Sequence, residues 1–382
     1  MKRLELIIEV TYGCNLRCKY CYNSETGYTK EVLSLERFRH LLELVSKKYN
    51  EVKIVWHGGE PLTCGIDYYE KVMEIEQEII TKTSIKINNS YQTNGTLINN
   101  DWIKFFKKHN ISNIGISFDG IEHNKYRQCA DETLKAIELL KKNGINHGCM
   151  SVISSDDYDL MANYNFFKER GINMEFSYLS NEGEALDLNP LSPEKFTKKA
   201  IELFDYWLYD KDGINIRLFT TYISMALGSG FRICTNSSCH GKYLSVAPNG
   251  DLSNCGRIMM QRFKFGNLDD MNDLSDIYNT DAFLNMLKGA ITRRNYCKEN
   301  CKYFEYCSGG CSEQAVLGGD ITKPNGANCY NFIHIFSHIK NKIEEIIEQK
   351  TSLNELNPFV KKAIIKSFNT GQSTEPMEER YQ

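Results

Sequence analysis

The 382-residue chain has little net charge: 46 Lys and Arg stand against 49 Asp and Glu, a formal balance of −3. Without a basic surplus it carries no electrostatic footprint for nucleic acid or for an anionic membrane surface. It has no uninterrupted apolar run of the length a bilayer demands. Nor does it open on an export signal, because Met1-Lys2-Arg3 leads straight into a short strand-like run. A cytoplasmic protein with no nucleic-acid and no membrane partner is expected. These absences leave the 14 cysteines without the commonest explanation. Disulfide frameworks belong mainly to small exported domains, whereas clustered cysteines in a reducing compartment read as metal ligands.

Three of those cysteines lie in Gly13-Cys14-Asn15-Leu16-Arg17-Cys18-Lys19-Tyr20-Cys21-Tyr22, a C-x3-C-x2-C spacing with no fourth cysteine close behind. A four-iron cluster ordinarily takes four thiolates. Three local ligands leave one iron open, and an open position separates a catalytic metal site from a closed structural one. Zinc would need a second nearby Cys or His pair to complete its tetrahedron, and no such pair follows closely.

The chain is long enough for two or three domains. Apolar, β-branched runs recur at 4–10, 52–56, 84–91, 113–118, 146–153 and 173–178. Helical-period stretches at 35–49, 68–81, 101–109, 131–143, 157–170 and 193–209 alternate with them. This alternation argues for βαβ units on a parallel sheet. The expected fold class is α/β: a partial (β/α)6, TIM-like barrel over 1–215, with its chemistry at the carboxyl ends of the strands. Residues 216–332 form an expected second domain, small and Cys-rich, in which 234–329 shows no long helical pattern and needs metal staples in place of a large apolar core. In the terminal region, 333–382, an amphipathic helix is expected. Phe332, Ile335, Phe336, Ile339, Ile343 and Ile346 fall at helical spacing. The polar end, 371–382, is expected to be disordered.

With the strand before it and Tyr20 in the gap before its last cysteine, the N-terminal loop resembles the cluster loop of the radical SAM enzymes. The resemblance implies that Cys14, Cys18 and Cys21 hold a [4Fe-4S] cluster. Its open iron would bind the amino and carboxylate groups of S-adenosyl-L-methionine (SAM), and one electron would cleave SAM to a 5′-deoxyadenosyl radical. Gly58-Gly59-Glu60-Pro61 follows the second strand and is similar to the family's GGEP turn. There glycines let the backbone approach the ligand, and Glu60 can accept a hydrogen bond from the SAM amino group. Alone, such a tetrapeptide is more often just a turn. Ser117-Phe118-Asp119-Gly120 resembles the family's S-x-D-G, which implies that Ser117 and Asp119 face the ribose. Arg127 suits the SAM carboxylate through a bidentate pair, although a solvated arginine at a helix entry accounts for it as well. Tyr20 is implied to contact adenine. Gln92-Thr93-Asn94-Gly95 fits the family or a plain turn equally.

The later cysteines, Cys234, Cys239, Cys255, Cys297, Cys301, Cys307, Cys311 and Cys329, are the right number for two fully ligated four-iron clusters. The pattern resembles the SPASM extension of certain radical SAM enzymes, with one residue more between Cys297 and Cys301 than the family form. The resemblance implies one auxiliary cluster on Cys234, Cys239, Cys255 and Cys311, and another on Cys297, Cys301, Cys307 and Cys329. The spacing alone also permits two zinc sites. Three [4Fe-4S] clusters and SAM are the expected cofactors. Cys64, Cys129 and Cys149 remain, by default small buried hydrophobes. One could donate a hydrogen atom to a substrate radical. His57 reads as structural.

SPASM enzymes mostly act on peptides or proteins, which implies such a substrate and a reductant such as flavodoxin or ferredoxin. A separate peptide-recognition protein could assist. The first expectation is a maturase for a ribosomally made peptide, forming an oxidised residue or a crosslink such as a thioether. The alternative is an anaerobic sulfatase maturase forming formylglycine. Those enzymes resemble one another in carrying a base-forming Asp directly after the cysteine corresponding to Cys255, and here that residue is Gly256. Asp251 lies nearby in sequence. A third possibility is a non-catalytic iron–sulfur or zinc protein, which would leave the GGEP and S-x-D-G segments without a purpose.

Overall fold

Alternate residues of the apolar runs can be buried, and that makes them strands. In the computed structural model, which describes residues 2–180, 182–188, 191–229, 233–236, 239–257 and 261–369, β1 (Arg3–Thr11) sends Leu4, Leu6, Ile8 and Val10 into the main core. Glu5, Ile7, Glu9 and Thr11 occupy its other, inner face, as the two-residue period requires.

After β1 come α1 (Leu35–Ser46), β2 (Glu51–Gly58), α2 (Ile66–Thr83), β3 (Lys86–Thr93), α3 (Asn100–Lys108) and β4 (Asn113–Ser117). The single turn α4 (His123–Tyr126), α5 (Ala130–Lys142), β5 (Asn146–Ile153), α6 (Leu160–Glu169), β6 (Met174–Tyr178) and α7 (Pro193–Leu208) follow. Adjacent strands from β1 to β6 pair in parallel, the partial TIM-like barrel expected. Local chemistry starts the helices. Ser34 and Ser192 accept the backbone N–H of Arg37 and Lys195, and Pro193 holds the first turn of α7.

The sheet continues past residue 215. After α8 (Arg217–Ala226), β7 (Tyr243–Val246) adds in parallel to β1. β8 (Asp251–Ser253) and β9 (Gly266–Asn267) extend it antiparallel, in the order β6-β5-β4-β3-β2-β1-β7-β8-β9. The inner face of β1 is thereby flanked by the barrel on one side and by the Cys-rich segment on the other. That segment holds a 20-residue helix, α9 (Asp281–Asn300), where the sequence shows no long helical pattern. The buried stripe Phe283, Met286, Ala290, Arg293 and Cys297 has helical spacing, but an arginine within it hides the period from a count of apolar residues. After the short α10 (Phe304–Cys307) and α11 (Ser312–Leu317), α12 (Gly326–Glu348) buries the expected apolar stripe and packs on α7 and α8. A further helix, α13 (Pro358–Asn369), is not among the elements expected above, and it buries Val360 and Ile364, four residues apart. Residues 371–382, expected to be disordered, lie outside the described residues. Among the described residues, no helix is long and apolar enough to cross a membrane.

A buried polar chain supports β2 and β3. Trp56 Nε1 donates to Asn89 Oδ1 (2.8 Å), and Asn89 Nδ2 donates to Glu76 Oε2 (2.7 Å). Burial pushes the Glu76 carboxyl up to about 8. A carboxyl whose pKa is raised on folding holds its proton more tightly in the folded state. Its contribution is therefore full below the unfolded value of 4.5 and is lost as pH rises toward 8. Glu76→Gln keeps the acceptor and removes the charge. It should raise the melting temperature at a pH of about 8, by on the order of 1–3 kcal/mol in stability, and have little effect near pH 4.5. Thermal denaturation at the two pH values checks this.

Candidate active site

The carboxyl end of β1 runs into the loop bearing Cys14, Cys18 and Cys21, and close backbone contacts hold that loop from two sides. The backbone N–H of Gly59 donates to Thr11 O (2.8 Å) and that of Glu60 to Gly13 O (2.9 Å). A β-carbon on Gly58 would stand 2.3 Å from Thr11 O, and one on Gly59 would stand 2.4 Å from both Tyr12 O and Gly13 O. The backbone that these glycines approach is the cysteine loop itself. On the far side, Glu184 N donates to Cys21 O (3.2 Å), and a β-carbon on Gly183 would stand 2.4 Å from the same oxygen. Asn94 Nδ2 ties Asn15 to the end of β3 (2.9 Å).

Glu60 is fully buried. Its Oε1 accepts from Leu62 N (3.0 Å) and Thr93 Oγ1 (2.7 Å), and its Oε2 accepts from Asn94 N (2.7 Å). A carboxylate offers about four acceptor sites, of which three are used here. Pro61 opens the turn Pro61–Cys64 that Glu60 caps. Tyr20, Asp119 and Arg127 come together although they are far apart in sequence. The Tyr20 hydroxyl donates to the buried Asp119 carboxylate, and Arg127 Nε donates to the Tyr20 hydroxyl (2.5 Å). Arg127 also lies 3.5 Å from Asp119 Oδ2 and reaches Cys18 Sγ at 3.9 Å. The other Asp119 oxygen accepts from Val152 N (3.0 Å). Arg127 is thus a largely buried counter-charge beside the loop, not a solvated surface residue. Ser117 Oγ accepts from Gln92 Nε2 (3.0 Å).

The later cysteines fall into two neighbourhoods. Cys239 lies within electrostatic reach of Cys234, Cys255 of Cys239, and Cys311 of both Cys239 and Cys234. Cys307 lies within reach of Cys297 and Cys301, and Cys329 within reach of all three. The additional residue between Cys297 and Cys301 is absorbed by α9, which ends as Cys301 N donates to Cys297 O (2.9 Å). Four residues apart on a helix means one face. Burial pushes the thiols up, Cys14 to about 11 and Cys255 and Cys329 to about 12. Loading with iron must therefore release protons. Among the described residues, no group of three His, Cys, Asp or Glu side chains closes around a single ion. The donor set is soft thiol throughout, which suits iron–sulfur clusters.

Several residues here escape sequence reasoning. Arg293, 1% exposed on α9, donates to Gly309 O (2.9 Å), Ser312 Oγ (2.8 Å) and Ile321 O. It lies within reach of Cys311, Cys297, Cys239 and Cys307, which belong to both neighbourhoods. A polar layer also joins the N-terminal loop to the Cys255 loop. Glu9 on β1 is buried; Tyr12 OH (2.9 Å) and Gln261 Nε2 (3.2 Å) both donate to its Oε2. Arg257 lies over the Tyr22 ring, 4.4 Å from its centroid, and pairs with buried Glu182 (2.8 Å). Tyr22 is within electrostatic reach of both Cys21 and Cys255. Alternation in a strand assigns Glu9 to a solvated face; Tyr12, Gln261 and the backbone at Gly256 pack on that face instead. His57 Nδ1 accepts from Gly58 N (2.8 Å), a structural contact. Cys149 is buried in the core, Cys64 packs against it, and Cys129 is exposed at a left-handed backbone position. Asp251 pairs with Lys264 (2.5 Å).

Residues 8–159 match the Radical SAM superfamily, and residues 234–311 match the SPASM iron-sulfur cluster-binding domain. The chain is a radical SAM enzyme with a SPASM domain, and those domains imply a SAM-binding [4Fe-4S] cluster and auxiliary clusters. Among curated proteins it is 29% identical to the cysteine-type anaerobic sulfatase-maturating enzyme of Clostridium novyi, over 88% of this chain and 94% of that one. It is 26% identical to the radical SAM cyclopropyl synthase TigE of Paramaledivibacter caminithermalis, over 81% of this chain and 68% of that one. Among solved structures, native anSMEcpe with bound AdoMet and Cp18Cys peptide superposes with a TM-score of 0.77 at 24% identity. That match covers 91% of this chain and all of the other, and it shows the shared fold.

Two outcomes follow from the geometry. Gly59→Ala must displace two backbone carbonyls, at a cost of about 1–3 kcal/mol, seen as a lower melting temperature. Reconstituted wild type should hold about twelve irons. Replacing Cys234, Cys239, Cys255 and Cys311 together by Ala should leave about eight, with the remaining clusters intact by electron paramagnetic resonance.

Proposed function

We propose that this enzyme oxidises a residue within a peptide or protein chain, forming a crosslink such as a thioether or another oxidised residue. When bound, SAM and its cluster supply a 5′-deoxyadenosyl radical, and auxiliary clusters supply an electron acceptor. The observation that carries the proposal is the polar layer of Glu9, Tyr22 and Arg257. It joins the loop of Cys14, Cys18 and Cys21 to that of Cys255, so hydrogen abstraction and electron release would occur at one junction.

The residues of this chain have distinct tasks. Cys14, Cys18 and Cys21 would hold the SAM cluster. Cys234, Cys239, Cys255 and Cys311 would hold one auxiliary cluster, and Cys297, Cys301, Cys307 and Cys329 the other. Gly58, Gly59 and Pro61 shape the turn that fixes the first loop, and Glu60 has one acceptor site left for the SAM amino group. Tyr20, Ser117, Asp119 and Arg127 would shape the nucleoside and carboxylate side of that pocket. A radical that can attack most C–H bonds must meet only one, so this packed surround is what selects it. An oxygen-poor cytoplasm and a one-electron donor such as flavodoxin or ferredoxin complete the setting.

Sulfatase maturation is the second reading. Similarity along nearly the whole length of the Clostridium novyi enzyme favours it; Gly256, where such enzymes resemble one another in carrying Asp, disfavours it. Anaerobic incubation of the reconstituted enzyme with SAM, reductant and two kinds of peptide decides between them by mass spectrometry. One is a sulfatase-type Cys or Ser peptide; the other is any short peptide encoded beside this chain. Loss of a hydrogen pair from the neighbouring peptide, with no aldehyde on the sulfatase one, is expected. An aldehyde on the sulfatase peptide would establish the second reading.

A further inference from the structure

We propose that Glu9 is the group that takes the proton released by the substrate during its oxidation. This rests on the peptide-oxidising function above. Glu9 projects from the inner face of β1, two residues before the strand ends and directly against Gly256, the residue after Cys255. A β-carbon at position 256 would stand 2.9 Å from Glu9 Oε1 and 3.2 Å from Glu9 Cδ. A side chain on the Cys255 loop at that point would therefore meet this oxygen, and the glycine leaves it without a side-chain neighbour there. Glu9 Oε1 has no hydrogen-bond partner although the residue is 1% exposed. Oε2 is held by Tyr12 and Gln261. The carboxyl group is thus oriented by one oxygen and unpartnered at the other, both of them buried.

The neighbours leave Glu9 free to exchange a proton. Facing it are Tyr12 and Tyr22 from the cluster loop, Gln261 from beyond Cys255, and His57, its register partner on β2. No cation among these pairs with it: burial and Arg257 push His57 down to about 4, so it is neutral, while Arg257 is paired with Glu182. Burial pushes Glu9 up to about 8, within reach of an operating pH near neutrality. The other carboxylates of the site have cationic or multiple partners: Asp119 binds Tyr20, Val152 and Arg127, Glu60 accepts from three donors, Asp251 pairs with Lys264, and Glu182 pairs with Arg257 through Oε1 while its Oε2 has no partner.

The step balances. The substrate loses a hydrogen atom to the 5′-deoxyadenosyl radical, giving 5′-deoxyadenosine. It loses a proton from S–H, O–H or N–H to Glu9 Oε1, and an electron to an auxiliary iron–sulfur cluster. The sum is the hydrogen pair missing from the product, and Glu9 passes its proton to solvent before the next turnover.

Two measurements on the reconstituted holoenzyme test this. The first needs no substrate: infrared titration of wild type against Glu9→Gln follows the C=O stretch of protonated carboxyl groups. A band that vanishes as pH rises through about 8 and is missing from E9Q is expected; wild-type and E9Q spectra that titrate alike overturn the proposal. The second uses the sulfatase-type and neighbouring peptides described above. The ratio of oxidised peptide to 5′-deoxyadenosine should fall about 100-fold in E9Q. Glu9→Ala combined with Gly256→Asp, which restores a carboxylate from the other side of the same gap, should recover it to within about tenfold of wild type. An E9Q ratio equal to wild type overturns the proposal. If wild type cleaves SAM yet oxidises neither peptide, the functional reading fails and the infrared titration alone decides Glu9.

Discussion

The backbone of residues 11–13 passes so close to that of residues 58–60 that a β-carbon on Gly58 or Gly59 would overlap a carbonyl oxygen. Most of the site depends on this contact. It fixes the path of the cysteine loop as it leaves β1, and it places the Glu60 carboxylate beneath that loop, where Thr93 and Asn94 lock it to β3. A flexible loop could present three thiols, but only a clamped one holds an open iron in a constant direction. Gly183 repeats the device on the opposite side, against Cys21.

Charge is the second constraint. Iron–sulfur clusters held by thiolates carry negative charge into places where water is scarce, and a buried charge needs a partner. Arg127 stands beside Cys18, and Arg293 stands between the two later cysteine neighbourhoods. Neither is a surface residue. Both are anchored by hydrogen bonds to neutral groups as well, Tyr20 for one, and two backbone carbonyls and Ser312 for the other. The guanidinium fork makes this anchoring possible, because it can serve several acceptors at fixed angles.

The sheet order explains how two chemically different regions share one site. Since β7 pairs with β1, the loop after Cys255 lies over the inner face of the strand that delivers the first cysteines. Similarity to enzymes named for sulfatase maturation and for cyclopropyl synthesis fits a scaffold in which the radical source is constant and the residues around the junction decide the product. Gly256 and Glu9 face each other at that junction.

Much of this was legible in the chain itself. The six strand–helix units follow from hydrophobic period, a property of short segments, whereas the number and spacing of the cysteines point to metal and their two sets come from the family resemblance. The tertiary structure alone decided the rest. It gathered Tyr20, Asp119 and Arg127 from three loops, set the eight cysteines in the two neighbourhoods that the family resemblance implies, and turned Arg293 and Glu9 inward. It also added β7 to β1 and a long helix where the apolar count shows none. A charged residue in an amphipathic pattern is assigned to water until its covering element is known, and that element comes from a distant part of the chain. Local period determines which segments become strands and helices; which of their polar faces are buried together depends on contacts that no local pattern carries.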